Sequence, residues 1–209
     1  MKVLVADDHE IVRKGLRQIL ENQDSISSVY ETSNGKETLK FIFEEKPDMV
    51  ILDISMPDIN GLDILKTVNN KNPHIKILIL SMYPEKEYAI RALKNGAYGY
   101  LTKNSAAAEL KKAINAVLHN KKYVSDDMHD ILFDMATNKA EIAKHSSLSD
   151  NEFKVFILLA EGKSIQEIAD TLFISIKTVS TYKSRILEKM EMKGIADITR
   201  YAIMHKLIN

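Results

Sequence analysis

The sequence predicts two units: an α/β domain on a doubly wound, five-stranded parallel sheet, then a small all-α domain of four helices. Three observations predict this. Over residues 1–120, five short apolar runs alternate with segments of helical period, the pattern of repeated strand–helix units. The runs are nearly continuous in Val, Ile and Leu, as in strands buried on both faces. Beyond residue 144 the strand signal is gone, and two capping boxes stand in register with helical segments.

The strands are read at 2–6 (KVLVA), 28–31 (SVYE), 49–53 (MVILD), 76–81 (KILILS) and 98–102 (YGYLT). Helices are read between and after them at 10–22, 36–45, 61–70, 85–96 and 106–120. In the first helix Ile11, Leu16, Ile19 and Leu20 are assigned to one face. Residues 121–144 are charged and carry no strand signal; they read as a linker, part of it helical, with Ser125 able to cap a short helix. The second unit, 145–209, is helical. Ser149 with Glu152 and Ser164 with Glu167 have capping-box spacing, Ser175 can cap a third helix, and a fourth follows Gly194. Gly162 stands where the first of these helices stops. The short turn Phe173–Ser175 between the second and third makes a helix-turn-helix.

Composition narrows the chemistry. The chain is 45% hydrophobic and 28% charged, ordinary for a soluble protein. Its 29 acidic and 29 basic residues balance, so any charged surface for a partner must be local. With no cysteine there is no disulfide, thiolate metal site or Cys nucleophile. The N-terminus lacks the apolar core of a signal peptide, and no apolar run approaches the roughly 18 residues of a membrane helix. A cytoplasmic protein with no membrane partner is expected.

Doubly wound sheets bind ligands beyond the carboxyl ends of their strands. Asp7 and Asp8 follow the first strand, Asp53 the third, Ser81 the fourth and Lys103 the fifth. A single strand-end Asp is usually a turn residue. Five such groups at four strand ends are a different matter. Converging carboxylates repel unless a cation offsets them, and Mg²⁺ takes oxygen ligands of this kind. A hydroxyl and an ammonium beside them suit phosphoryl transfer.

The motifs VADDHEIVRKGL, VILDISMPDINGLDIL, ILSMY and GAYGYLTKN together resemble the receiver domain of bacterial response regulators, whose fold is flavodoxin-like. The resemblance covers residues 1 to about 120. It implies that Asp53 accepts a phosphoryl group from a histidine kinase. It makes Asp7, Asp8, Asp53 and the backbone carbonyl of Ser55 the Mg²⁺ ligands, and Ser81 and Lys103 the partners of the phosphoryl oxygens. Tyr100 matches the switch aromatic, turning inward as Ser81 moves toward the phosphoryl group. Pro57 and Gly61 match the loop that shapes the site. No second acid lies one turn past Asp53 to protonate a leaving group, which argues against a phosphohydrolase. The expected catalysis is limited to the domain's own phosphorylation and dephosphorylation.

On the third helix of the C-terminal unit, 175–190, Val179, Ile186 and Met190 share one face. Lys177, Ser180, Thr181, Ser184 and Glu188 share the other, with Arg185 at its flank. The stretch from Leu148 to Met190 resembles the LuxR-type helix-turn-helix domain. The whole chain is therefore similar to NarL/FixJ-type response regulators, in wording closest to the virulence-regulator branch that includes BvgA and EvgA. This implies binding to double-stranded DNA, with Ser180, Thr181 and Ser184 toward base edges and Lys177, Tyr182, Lys183 and Arg185 toward phosphates. Tyr182 stands where most LuxR-type domains have His. The fourth helix, with Ile198, Tyr201, Ala202 and His205 on one face, is by the same resemblance the dimer contact on DNA. Phosphorylation is expected to release the DNA-binding domain, or to drive homodimerisation on a roughly twofold-symmetric operator, or both.

Overall fold

The computed structural model describes residues 1–82, 85–105, 107–125, 128–129, 144–205 and 207–208. The chain divides into two compact units, Met1–Asp134 and Met135–Asn209.

The first unit holds strands β1 (Lys2–Ala6), β2 (Ser28–Thr32), β3 (Met49–Leu52), β4 (Lys76–Ser81) and β5 (Gly99–Thr102). Between and after them run helices α1 (Glu10–Glu21), α2 (Gly35–Glu45), α3 (Gly61–Lys71), α4 (Glu85–Lys94) and α5 (Ala107–Leu118). The sheet order is β2-β1-β3-β4-β5, and every pairing is parallel. Successive residues of a strand point to opposite faces. Val3, Val5, Met49, Ile51, Leu78, Leu80 and Leu101 accordingly pack with Leu16 and Leu20 of α1 and with Leu110, Ile114 and Val117 of α5. Their neighbours Leu4, Val50, Leu52, Ile77 and Ile79 are buried as well, so the sheet is covered on both faces.

Local chemistry sets the helix starts. The Asn34 side chain caps α2 by accepting from Glu37 N–H at 2.9 Å, and Asn60 caps α3 from Leu62 N–H at 2.8 Å. One expected face is corrected. Leu16 and Leu20 are buried and Ile19 partly so, but Ile11 is 86% exposed. At 3.6 residues per turn Ile11 lies about 140° around α1 from Leu16, too far to share its side.

The first unit also extends past the expected boundary. Tyr123 N–H donates to the Tyr98 carbonyl at 2.7 Å, and Tyr123 forms a parallel bridge with Gly99. A Cβ at position 99 would sit 2.9 Å from the Tyr123 carbonyl, so glycine is what lets the two backbones meet. Ser125 and Met128 are buried, and the Ser125 carbonyl accepts from Met128 and His129 N–H. The remainder of the expected linker, 130–143, lies outside the described residues.

The second unit opens with a 3₁₀ turn, Lys144–Ser147, followed by α6 (Asp150–Ala160), α7 (Ile165–Leu172), α8 (Ile176–Met190) and α9 (Ile195–Met204). Both capping boxes form, at Ser149–Glu152 and Ser164–Glu167. Ser175 Oγ accepts from Thr178 N–H at 3.1 Å to start α8. Gly162 ends α6 with φ +83°. The core is Phe153, Phe156, Ile168, Val179, Ile186, Met190, Ile198 and Ala202. Glu152 ties the helices together: its buried carboxylate accepts from Ser149 N–H at 2.8 Å and from Lys189 of α8 at 2.6 Å. Burial pushes its pKa up, but the hydrogen bonds from Lys189 and Ser149 outweigh burial and hold it below the usual carboxylate range.

Candidate functional site

Strand register gathers the acidic site. Ala6 of β1 pairs with Leu52 of β3, so Asp7 and Asp53 emerge side by side. Asp53 N–H donates to the Ala6 carbonyl at 2.8 Å. Ser81 pairs with Thr102 across β4 and β5, and Lys103 N–H donates to the Ser81 carbonyl at 2.7 Å. Lys103 Nζ lies 2.7 Å from Asp7 Oδ2 and 2.8 Å from Asp53 Oδ2. Asp7, Asp53 and Ser81 are buried, while Asp8 is exposed.

The electrostatics are those of an under-compensated anionic pocket. Burial is the largest influence on Asp53 and pushes its pKa up; Lys103 and the Ser55 N–H, 3.1 Å away, pull it down, and Asp7 pushes it up again. The net shift is upward. For Lys103, burial works against the ammonium, yet its bonds to Asp53 and Asp7 prevail and raise its pKa. One lysine thus serves two buried carboxylates with a third, Asp8, beside them. Carboxylate oxygens of Asp7, Asp8 and Asp53 and a ring nitrogen of His9 all lie within 4.8 Å of one another. A hard dication fits such a donor set.

His9 and Arg13 were not singled out from the sequence. His9 Nδ1 stands 2.6 Å from Asp8 Oδ1 and 3.1 Å from Asp7 Oδ1, and its N–H donates to Asp7 Oδ1 at 2.8 Å. Arg13, one turn into α1, donates to the Asp7 carbonyl at 2.7 Å while Glu31 of β2 holds its Nε at 3.3 Å. Both act on Asp7 through the β1–α1 turn. The spacing of one helical turn from Asp8–His9 to Arg13 was the available signal.

The loop after β3 is shaped as expected. The Pro57 carbonyl accepts from Gly35 and Ile59 N–H, and Gly61 N–H reaches back to the Ile54 carbonyl at 3.0 Å. A Cβ on Gly61 would stand 2.1 Å from the Asp53 carbonyl, so only glycine permits this return. Asp58, the next acid after Asp53, accepts from Lys36 N–H and so faces α2. Tyr100, paired in register with Ile79, is buried. The side chain expected to turn inward is thus already inward.

In the second unit α7 and α8 form the helix-turn-helix. Val179, Ile186 and Met190 are buried; Lys177, Thr181, Ser184 and Arg185 are exposed; Ser180, Tyr182 and Lys183 are half-buried. Thr181 Oγ1 donates to the Lys177 carbonyl at 2.9 Å and Ser184 Oγ to the Ser180 carbonyl at 3.1 Å. Both hydroxyls therefore keep lone pairs, not protons, for a ligand. The expected dimer face needs correction. Ile198 and Ala202 are 0% exposed, spent on the unit's own core. Tyr201 Oη is 3.0 Å from Nδ1 of the buried His145, and its ring stacks on His205 at 4.1 Å. The exposed apolar residues of α9 are Ile195, Ile203 and Met204, which lie apart around the helix. A helical wheel finds an apolar face but does not say which of two faces the core takes.

A doubly wound sheet with a lysine-bridged aspartate at its carboxyl edge, joined in one chain to a helix-turn-helix, defines a response regulator with a DNA-binding output domain. Residues 3–115 match the response regulator receiver domain, and residues 146–202 match the bacterial regulatory proteins of the luxR family. The chain belongs to these families as a NarL/FixJ-type, DNA-binding transcriptional response regulator. It is 35% identical to the oxygen regulatory protein NreC of Staphylococcus epidermidis, covering 100% of this chain and 99% of that one. It is 34% identical to the response regulator UvrY of Escherichia coli, covering 100% and 96%. Among solved structures it resembles RcsB of Salmonella enterica serovar Typhimurium bound to promoter rprA in the presence of the phosphomimetic BeF3⁻, with TM-score 0.67, 27% identity and coverage of 96% and 97%. No helix among the described residues is long and apolar enough to cross a membrane.

Proposed function

We propose that Asp53 is the phosphoryl acceptor of a histidine kinase and that its phosphorylation controls DNA binding by α8. The observation that carries this reading is the Lys103 ammonium, held between Asp7 and Asp53 at 2.7 and 2.8 Å. An Asp53 carboxylate oxygen attacks the phosphorus of a phosphohistidine. The O–P bond forms, the P–N bond breaks, and the imidazole leaves with that electron pair and takes a proton from solvent. Asp7, Asp8, Asp53 and the Ser55 carbonyl would hold Mg²⁺, which neutralises charge on the equatorial oxygens. Lys103 and the Ser81 hydroxyl take the remaining oxygens.

The added group carries about −1.5 to −2 charge, against which Lys103 and Ser81 reorient. Tyr100 on β5 follows Ser81 on β4, and the surface around α4 and β5 changes with it. The downstream effect is release of the helix-turn-helix, or dimerisation through α9, on a roughly twofold-symmetric operator. The dimer contact is Tyr201 and His205 with the exposed Met204, which lie within about 100° of one another around α9. Lys177, Tyr182, Lys183 and Arg185 neutralise phosphates, and Ser180, Thr181 and Ser184 meet base edges. The protein turns over no external substrate. Incubation with acetyl phosphate and Mg²⁺ tests the acceptor: intact mass rises by one phosphoryl group in the native chain and not in Asp53→Asn. Equal uptake by both would refute it.

A further inference from the structure

Two bulky apolar side chains flank the turn into α8 and have no place in the core. Phe173 is 73% exposed and Ile176 is 51% exposed. Ser175 between them caps the helix. Phe173 also occupies the left-handed region, at φ 53°. Of the five non-glycine residues with positive φ among the described residues, Lys46, Asp58, Asn120 and Glu191 are polar, and only Phe173 is apolar. Glycine or asparagine is the residue that favours this C-cap conformation. A bulky side chain there costs backbone energy, and exposing its ring to water costs more. Stability alone does not account for a phenylalanine at this position. Its surroundings suggest what does. The next exposed residues along the chain are Ser175, Ile176, Lys177 and Thr181, the leading end of the helix that enters the groove.

We infer that Phe173 and Ile176 form an apolar reading edge for the 5-methyl groups of thymine in the major groove. This rests on the reading of α8 as the recognition helix. The thymine methyl is the apolar group the major groove displays. Along the helix itself only the Cγ2 methyl of Thr181 could join such a contact: Ser180 and Ser184 offer oxygens, and Lys177 and Arg185 offer cations. Base-edge hydroxyls whose protons are already committed to the helix backbone, as those of Thr181 and Ser184 are, accept from amino groups of adenine and cytosine. Apolar contact at the turn, by two larger side chains, adds discrimination for thymine.

The test uses full-length protein phosphorylated with acetyl phosphate and Mg²⁺. Sites are selected from a random pool of double-stranded DNA, then resynthesised with deoxyuridine for each thymine in turn, which deletes only the methyl group. Native protein is expected to lose roughly fourfold in affinity per contacted methyl. Phe173→Ala and Ile176→Ala should bind thymine DNA more weakly and become indifferent to uracil at one or more positions. Phe173→Asn separates function from folding: it should hold or raise the thermal midpoint while losing methyl discrimination. Indifference of the native protein to every uracil overturns the inference alone. So does an equal loss by the variants on thymine and uracil DNA, which would mark a sugar or phosphate contact. Selection of no DNA at all overturns the recognition-helix reading, and this inference with it.

Discussion

Lys103 reaches Asp53 across an intervening strand. The lysine follows β5, the aspartate follows β3, and β4 lies between them, yet Nζ and Oδ2 are 2.8 Å apart. The same nitrogen is 2.7 Å from Asp7 beyond β1. A single cation therefore laces three strand ends together.

Removing that cation should be costly. Lys103→Ala leaves two buried carboxylates without their partner, and loss of about 3 kcal/mol in the metal-free protein is expected. Added Mg²⁺ should return part of it. Chemical denaturation with and without Mg²⁺ measures both; equal stability of variant and native protein would contradict the bridging role.

Asp53→Asn acts in the opposite sense. The Asp53 pKa is raised, burial being the first cause. The folded state therefore favours the protonated acid, and stability associated with this group is lost as pH rises through the folded pKa. At neutral pH the ionised carboxylate is a burden. The metal-free variant should melt higher, by on the order of 1 kcal/mol or a few degrees. Scanning calorimetry in a chelator checks this, and a lower midpoint would contradict it.

Gly61→Ala tests the loop. The new Cβ would begin 2.1 Å from the Asp53 carbonyl, so the backbone must shift at the acceptor itself. Destabilisation of about 2–3 kcal/mol and a slower rate of phosphorylation are expected together. A stable variant with native rate would show that the return from Ile54 is dispensable.

The pH dependence of the second unit should run through Glu152. Its folded pKa lies below the unfolded one because Lys189 and Ser149 prevail over burial. Its contribution is therefore complete above the unfolded pKa, near 4.3, and fades as pH falls through the folded value. The stability gap between native protein and Glu152→Gln, on the order of 1 kcal/mol at neutral pH given the partly exposed Lys189, should close in acid. A gap that persisted at the lowest pH would refute the assignment.

The two sides of α9 are separable. Ile198→Ala should destabilise the unit by about 2–4 kcal/mol. Met204→Glu should leave the thermal midpoint nearly unchanged and weaken self-association of phosphorylated protein on DNA. Sedimentation of both variants distinguishes a packing residue from a contact residue.

Much of this was legible in the chain. An apolar run that stops at a polar or charged side chain marks a strand end, and four such ends put Asp7, Asp53, Ser81 and Lys103 on one edge. The capping boxes at Ser149 and Ser164 announced their helices because their partners are three residues away. What escaped depends on three dimensions. Arg13 touches a backbone carbonyl, for which the one-turn spacing from Asp8–His9 is the only trace in the sequence. Ile198 and Ala202 show the right period for either a partner or a core. Ile11 belongs to a helix whose apolar residues do not all share a side. Tyr123 joins the sheet through one bridge, too short for a strand pattern.

That bridge gives β5 a second role. Lys103 sits just past its carboxyl end, while Tyr123 clasps Gly99 at its amino end, four residues or about 13 Å away. One four-residue strand thus borders the acidic pocket at one tip, through Lys103, and anchors the segment after α5 at the other, through Tyr123, with the buried Tyr100 between.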